Sequence, residues 1–544
     1  MFASNVLFFL LPVLSNGLPS DLLAPSPTAI IDSGPIIGTT TSLPSAAAPV
    51  LQFLGIPYAA KPTRFEPPQR PKRWSEPLRT NKWKPACIQQ YSSGAQGKLI
   101  ESVFNDPPAE ESEDCLYMNI YAPQAPASGR GRAVMLWIYG GRLQNGHAGK
   151  MEFDGSVLAG WQDVVVVTFN YRTNVFGFPG SSELDPKKRN LGFLDQRMAL
   201  DWVQRNIDVF GGDPDKVTVF GESAGAISID SLITSYSRNS RPPFRAAILQ
   251  SGQTSYGGMS QNRAGSTLAS MSWAKLAAEL QCGSQQPLKC MQNTTIPSSQ
   301  IQAIVHANGL NFGPIVDNQT LFTNLPIKRQ NRDIALVPIL IGSNSQEARL
   351  FVQGQSDVEQ YVARSFGKGT ELAKKVLGSY PVGGAEFPTG FDAIAQISTD
   401  FGFQCSTALY AAQSKAAGIP TWRYYFNATF PNLQAFEAAG VFHSSENRLI
   451  FGTYGKGITE ASKRPSTPEE HIVSEIMQAA WARFAKDPFN GPGWTQYGNS
   501  PSQADIGNIG SESSGVSVIN HDIDGRCVLY NSLYLKNSGL EPRQ

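Results

Sequence analysis

The stretch from Phe210 to Gly225 constrains this chain more than any other, because an apolar, β-branched run there ends in a G-x-S-x-G elbow, Gly221-Glu222-Ser223-Ala224-Gly225. A serine hydroxyl is a weak nucleophile at neutral pH. It becomes reactive where a sharp strand-to-helix turn presents it to a histidine and to backbone N–H groups that meet a developing oxyanion. Glycines two residues either side of the serine leave room for the close approach such a turn imposes. The pattern by itself is weak in a chain with 50 glycines, so its weight comes from context. Val217 to Phe220 predicts a buried strand, and Ala226 to Ile233 predicts a helix with apolar positions three and four apart. Ser223 is the candidate nucleophile.

Further continuous apolar runs predict strands covered on both faces: Ala133 to Tyr139, Val164 to Phe169, Ala246 to Leu249, Val337 to Ile341 and Trp422 to Phe426. Helical patterns lie between them. Residues 190–207 carry Leu194, Met198 and Trp202 on one stripe with Val203 and Ile207 beside it, and a later helix opens on a capping box, Thr467 to Glu470, with Ile472, Ile476, Ala480 and Phe484 on one face. Alternating strands and helices predict an α/β fold with a large, mostly parallel central sheet flanked by helices.

At 544 residues the length allows several domains, yet no linker divides the sequence. Residues 1–17 read as a secretion signal, since the apolar core Val6 to Leu14 is too short to span a bilayer and is followed by Ser15 and Gly17, although its n-region lacks Lys and Arg. The remainder, 18–544, is expected to form one catalytic domain, with the Pro-, Ser- and Thr-rich Pro19 to Pro49 as an irregular lead-in. Secretion agrees with three sequons at Asn293, Asn318 and Asn427 and with an even count of six cysteines, of which Cys282 and Cys290 suggest one local loop. No later run reaches transmembrane length. A net charge of +1 with 16% charged residues points away from nucleic acid and toward a small, largely uncharged partner.

If Ser223 is a nucleophile, its base is one of five histidines. His471 sits in the first turn of the capped helix, a common surface position, His306 lies in an amphipathic stretch, and His521 is a loop residue. His147, beside a glycine turn, competes with His443. The chain order nucleophile, acid, histidine of α/β-hydrolases removes His147 and favours His443, with Glu347, just after the Val337 to Ile341 run, as the acid.

These residues resemble the type-B carboxylesterase and cholinesterase family over roughly residues 30 to 530. Phe210 to Gly225 is similar to the family's serine signature and Ser112 to Ile120 to its second one, while Phe53 to Ala59 and Asn190 to Leu200 resemble other family blocks. The resemblance implies an α/β-hydrolase that cleaves small carboxylic esters through an acyl-enzyme, with Ser223 as nucleophile, Glu347 orienting the imidazole and His443 as base and then acid. It implies an oxyanion hole of the Gly141, Arg142 and Ala224 N–H groups, with Gly140 setting the turn. It also implies disulfides Cys87–Cys115, Cys282–Cys290 and Cys405–Cys527. The chemistry calls for no metal and no organic cofactor.

The chain departs from the family at Arg142, where glycine is usual, so the side chain is expected to narrow the acyl site or favour a polar acyl group. Ala348 and Ser444 also replace glycines, and neither is expected to need a glycine-only backbone. Choline esters are disfavoured, because the Cys87 to Cys115 loop offers only Tyr91 and Phe104 as aromatics. A lipase or an acyltransferase would use the same triad. A non-catalytic adhesion module is the reading from another class, and relatives of that kind lack the nucleophile.

Overall fold

The computed structural model describes residues 26–539, apart from 45, 47, 257–265, 284, 456–463 and 511–514. The expected signal segment, 1–17, lies outside the described residues. Strands β1 (Thr28–Ile31), β2 (Gly34–Ile37) and β5 (Leu78–Arg79) form a small sheet. The 11-stranded sheet holds β3 (Thr39–Thr41), β4 (Val50–Pro57), β6 (Tyr117–Pro123), β7 (Arg132–Ile138), β8 (Val165–Phe169), β9 (Gly212–Glu222) and β10 (Ala246–Gln250). It is completed by β11 (Ile339–Asn344), β12 (Thr421–Phe426), β13 (Ile506–Ile509) and β14 (Val516–Ile519). Their spatial order is β14-β13-β12-β11-β10-β9-β7-β8-β6-β4-β3.

Pairing is parallel from β8 through β7 and on to β13, and antiparallel at both edges. The parallel middle is apolar on both faces for a physical reason: every residue of β7, β8 and β10 is buried, because helices cover each side. Trp137 on β7 anchors one face, with its ring 4.8 Å from Phe220 and 5.1 Å from both Phe153 and Phe451. Three disulfides, Cys87–Cys115, Cys282–Cys290 and Cys405–Cys527, leave no free cysteine among the described residues. No described helix is long and apolar enough to cross a membrane.

Three local expectations are corrected. The lead-in before Pro49 is not irregular throughout, because Thr28 to Thr41 is rich in Ile and Thr and forms β1, β2 and β3. The helix Leu191–Asn206 turns Asp195 and Gln196 inward and leaves Leu194 and Met198 half-buried. A buried ion pair sets that rotation: Arg172 donates from Nε and Nη2 to the Asp195 carboxylate at 2.8 and 2.7 Å. In the helix Pro468–Lys486, Ile472 is exposed, and the buried stripe runs through Val473, Met477, Ala480, Trp481 and Phe484. Ser474 and Gln478 both donate to the Leu449 carbonyl and hold that face inward.

Asp195 is the sole carboxylate partner of buried Arg172 among the described residues. Asp195→Ala is therefore expected to cost about 3–5 kcal/mol, since it strands a buried guanidinium. A fall in the denaturant midpoint under non-reducing conditions checks this, and a change below about 1 kcal/mol would contradict it.

Candidate active site

The chain leaves β7, forms β8 on one side, and returns past β7 to form β9 on the other. Loops after β7 and β9 therefore diverge, and the crevice between them at the carboxyl ends of the strands is where open α/β sheets place their ligands. Gly140, Gly141 and Arg142 follow β7, and Ser223 follows β9.

Ser223 has φ 55° and ψ −120°, the strained turn between β9 and the helix Ala224–Ser235. Its N–H is held by the Gln250 carbonyl at 2.8 Å. A Cβ at Gly225 would overlap the Ile138 carbonyl oxygen, one at Gly221 would lie 2.5 Å from that same oxygen, and one at Gly140 would lie 2.9 Å from Ser223 Cβ. All three positions tolerate only glycine because β7 and the elbow touch backbone to backbone.

His443 and Glu347 meet at the ends of β12 and β11. His443 Nδ1 lies 2.6 Å from Glu347 Oε2, and both side chains are buried. The two loops are laced together: His443 N–H donates to the Glu347 carbonyl, Gln346 N–H to the Val441 carbonyl, and Asn344 Nδ2 to the Phe442 carbonyl. Glu347 Oε1 accepts from Asn344 N–H at 2.8 Å, which fixes the carboxylate plane. His147 is buried apart from this pair, and burial followed by the charge of Lys150 pushes its imidazole down to about 3, so it is neutral at pH 7. His306 contacts the Tyr91 carbonyl, His471 the Tyr454 hydroxyl, and His521 the Asp505 carboxylate.

The N–H groups of Gly141, Arg142 and Ala224 make no hydrogen bond to another described residue. Gly141 takes φ 96° and Arg142 φ 60°, so Arg142 adopts the left-handed conformation that glycine holds without cost. Ser444 overturns the expectation of an ordinary backbone, with φ 73°. Its hydroxyl compensates by donating to Glu222 Oε1 at 2.7 Å, against a strain of order 1–3 kcal/mol.

Glu222, the residue before the serine, was not singled out by sequence and lies at the centre of the site. Its Oε1 is 2.9 Å from His443 Nε2, off the N–H direction, so that nitrogen has no aligned hydrogen bond among the described residues. Burial alone would push the His443 imidazole down, but the Glu222 and Glu347 carboxylates prevail and hold it well above its ordinary value. Glu446 completes the cluster, accepting from Gln250 Nε2 at 3.2 Å and Asn344 Nδ2 at 2.6 Å. Burial and then the neighbouring carboxylates raise it to about 8, so it holds a proton at neutral pH. The rings of Phe351 and Phe403, 5.1 and 5.0 Å from His443, cover the imidazole.

Ser223, His443, Arg142, Ile100 and Phe351 border two cavities. The larger, of about 750 Å³, has mostly apolar walls including Phe193, Ile227, Phe312, Leu321 and Phe403. The smaller, of about 50 Å³, is lined by Phe104, Lys150, Glu152, Phe153 and Glu222.

Gly225→Ala is expected to abolish reaction of Ser223 with an active-site-directed organophosphorus reagent, because the new methyl group meets backbone and neither strand nor helix can yield. Retained labelling at the wild-type rate would contradict the elbow geometry.

Comparison with known proteins agrees with this architecture. The model of the carboxylesterase family matches residues 25–520. The chain is 34% identical over 449 residues to a para-nitrobenzyl esterase of Bacillus subtilis, covering 80% of this chain and 86% of that one. It is 30% identical over 495 residues to a cholinesterase of Mus musculus, covering 84% and 78%. It is 28% identical over 515 residues to a secreted lipase of Gibberella zeae, covering 85% and 87%. The chain belongs to the carboxylesterase family and is an α/β-hydrolase enzyme acting on carboxylic esters.

Proposed function

We propose that the chain is a secreted serine esterase in which Ser223 attacks the ester carbonyl, His443 takes its proton and passes it to the leaving alcohol, and Glu347 orients and charges the imidazole. The observation that carries this reading is the buried 2.6 Å contact between His443 Nδ1 and Glu347 Oε2, beside a cavity that Ser223 also lines. The free N–H groups of Gly141, Arg142 and Ala224 would stabilise the tetrahedral oxyanion, a contribution on the order of 10² to 10³ in rate per donor in serine hydrolases. Water then releases the acid from the acyl-enzyme. The two unequal cavities suit an ester with one bulky apolar arm and one compact arm, split at the carbonyl by Ser223.

Secretion is supported by the sequon side chains Asn293, Asn318 and Asn427, all exposed, by the three disulfides, and by likeness to a secreted lipase. The proposed glycosylation sites are those three asparagines.

A fluorophosphonate probe tests the nucleophile: wild type labels stoichiometrically and Ser223→Ala does not. Equal labelling of both, or of neither, would end the proposal. His443 must be neutral to accept the serine proton, so kcat/KM rises with pH as the imidazolium deprotonates. Removing the Glu222 charge lowers the His443 pKa, because the imidazolium loses one of its two stabilising carboxylates. Glu222→Gln is therefore expected to move the acid limb of the kcat/KM profile to lower pH, and a limb that stays in place or moves upward would contradict it.

A further inference from the structure

The small chamber beside Ser223 contains a cation that esterase chemistry does not use. Lys150 lies in the segment between β7 and β8, with its side chain 13% exposed. Nζ stands over two aromatic faces, 5.3 Å from the Phe104 ring centroid and 5.6 Å from that of Phe153. Its nearest carboxylate oxygen among the described residues, Glu152 Oε2, is 3.7 Å away, beyond hydrogen-bond reach. An ammonium has three N–H donors, and no described residue accepts from any of them at hydrogen-bond distance.

Burial and the charge of Arg448 push the Lys150 ammonium down, while the Glu152 and Glu222 carboxylates pull it back up, and the described groups bordering the chamber leave its donors unpaired. Glu222 accepts from Ser444 and faces His443. Arg142, exposed at the shared border of the two cavities, forms no ion pair with a described residue, so a second cation faces the same space. Glu152 opposes Lys150 only at the longer distance.

We propose that Lys150 makes this chamber a receptor for a carboxylate, so that the enzyme selects esters whose compact arm ends in a negatively charged group. This rests on Ser223 being the nucleophile. The argument follows from what each class of arm would do to Nζ. A neutral apolar arm displaces water from the ammonium and returns no acceptor, leaving charged donors desolvated. A quaternary ammonium needs an aromatic face, and the Phe104 and Phe153 faces already hold Lys150, whose charge repels it. A carboxylate replaces the displaced water with charge-assisted hydrogen bonds.

The test uses three esters with the same bulky apolar arm and a short arm ending in a carboxylate, the matching primary amide, or a trimethylammonium group. Wild type is expected to favour the carboxylate over the amide on the order of tenfold in kcat/KM, the value of one charge-assisted hydrogen bond, and to turn over the trimethylammonium ester least. Lys150→Met keeps the apolar stem against both rings and is expected to bring the carboxylate-to-amide ratio to about one. Glu152→Gln removes the opposing charge and is expected to raise that ratio, giving a second variant with the opposite sign should Lys150→Met fold poorly. A wild-type ratio near one, or a ratio that neither variant moves, overturns the proposal. Fluorophosphonate labelling of each protein separates the two readings: labelled enzyme without carboxylate preference removes only the role of Lys150, whereas unlabelled wild type removes the esterase reading and this one with it.

Discussion

The carbonyl oxygen of Ile138, at the end of β7, is the point on which the active centre depends. It lies so close to the elbow that neither Gly221 nor Gly225 has room for a side chain. This contact sets how near the β7 loop, with Gly141 and Arg142, comes to the serine on β9. It occurs where the sheet reverses its winding direction, so the crevice and the elbow share one geometric origin. A bulkier residue at either glycine would separate Ser223 from the unpaired N–H groups of Gly141 and Arg142.

Around that contact the protein concentrates charge that would be unstable elsewhere. Glu222, Glu347 and Glu446 are all buried within reach of one histidine network. The arrangement holds because the charges are shared: the imidazole takes a proton beside two carboxylates, and the third carboxyl stays protonated near neutrality. Ser444 is part of the same balance. Its left-handed backbone is tolerated because its hydroxyl satisfies Glu222.

Much of this was legible in the sequence, for reasons of range. The elbow declares itself locally by its G-x-S-x-G spacing, although the backbone that excludes side chains from its glycines is that of Ile138 on β7, and the parallel strands declare themselves by continuous apolarity. Glu347 and His443 followed from chain order. Helix faces were less legible: Ile472 looked like core by spacing, yet Ser474 and Gln478 anchor the helix to Leu449 through bonds that no periodicity records. Likewise Asp195 reads as a surface charge until Arg172, 23 residues earlier, is placed beside it. Glu222 stood within the motif but carried no spacing signal of its own. Lys150 gave no sign at all, because its meaning lies in Phe104 and Phe153, the first of them within the loop closed by Cys87–Cys115.

The lacing of the Glu347 and His443 loops has a consequence for how such an enzyme diversifies. His443 N–H, Gln346 N–H and Asn344 Nδ2 bind main-chain carbonyls of the opposite loop, so Glu347 and His443 are held in register largely through the backbone. The larger cavity draws other walls from segments near 251–254, 311–325 and 402–407, outside that lacing. Reaction frame and substrate walls are therefore separable parts of one chain. Insertions in the walls can change what is cleaved while the His443–Glu347 contact keeps its alignment, and a lineage can sample new esters without first dismantling that frame.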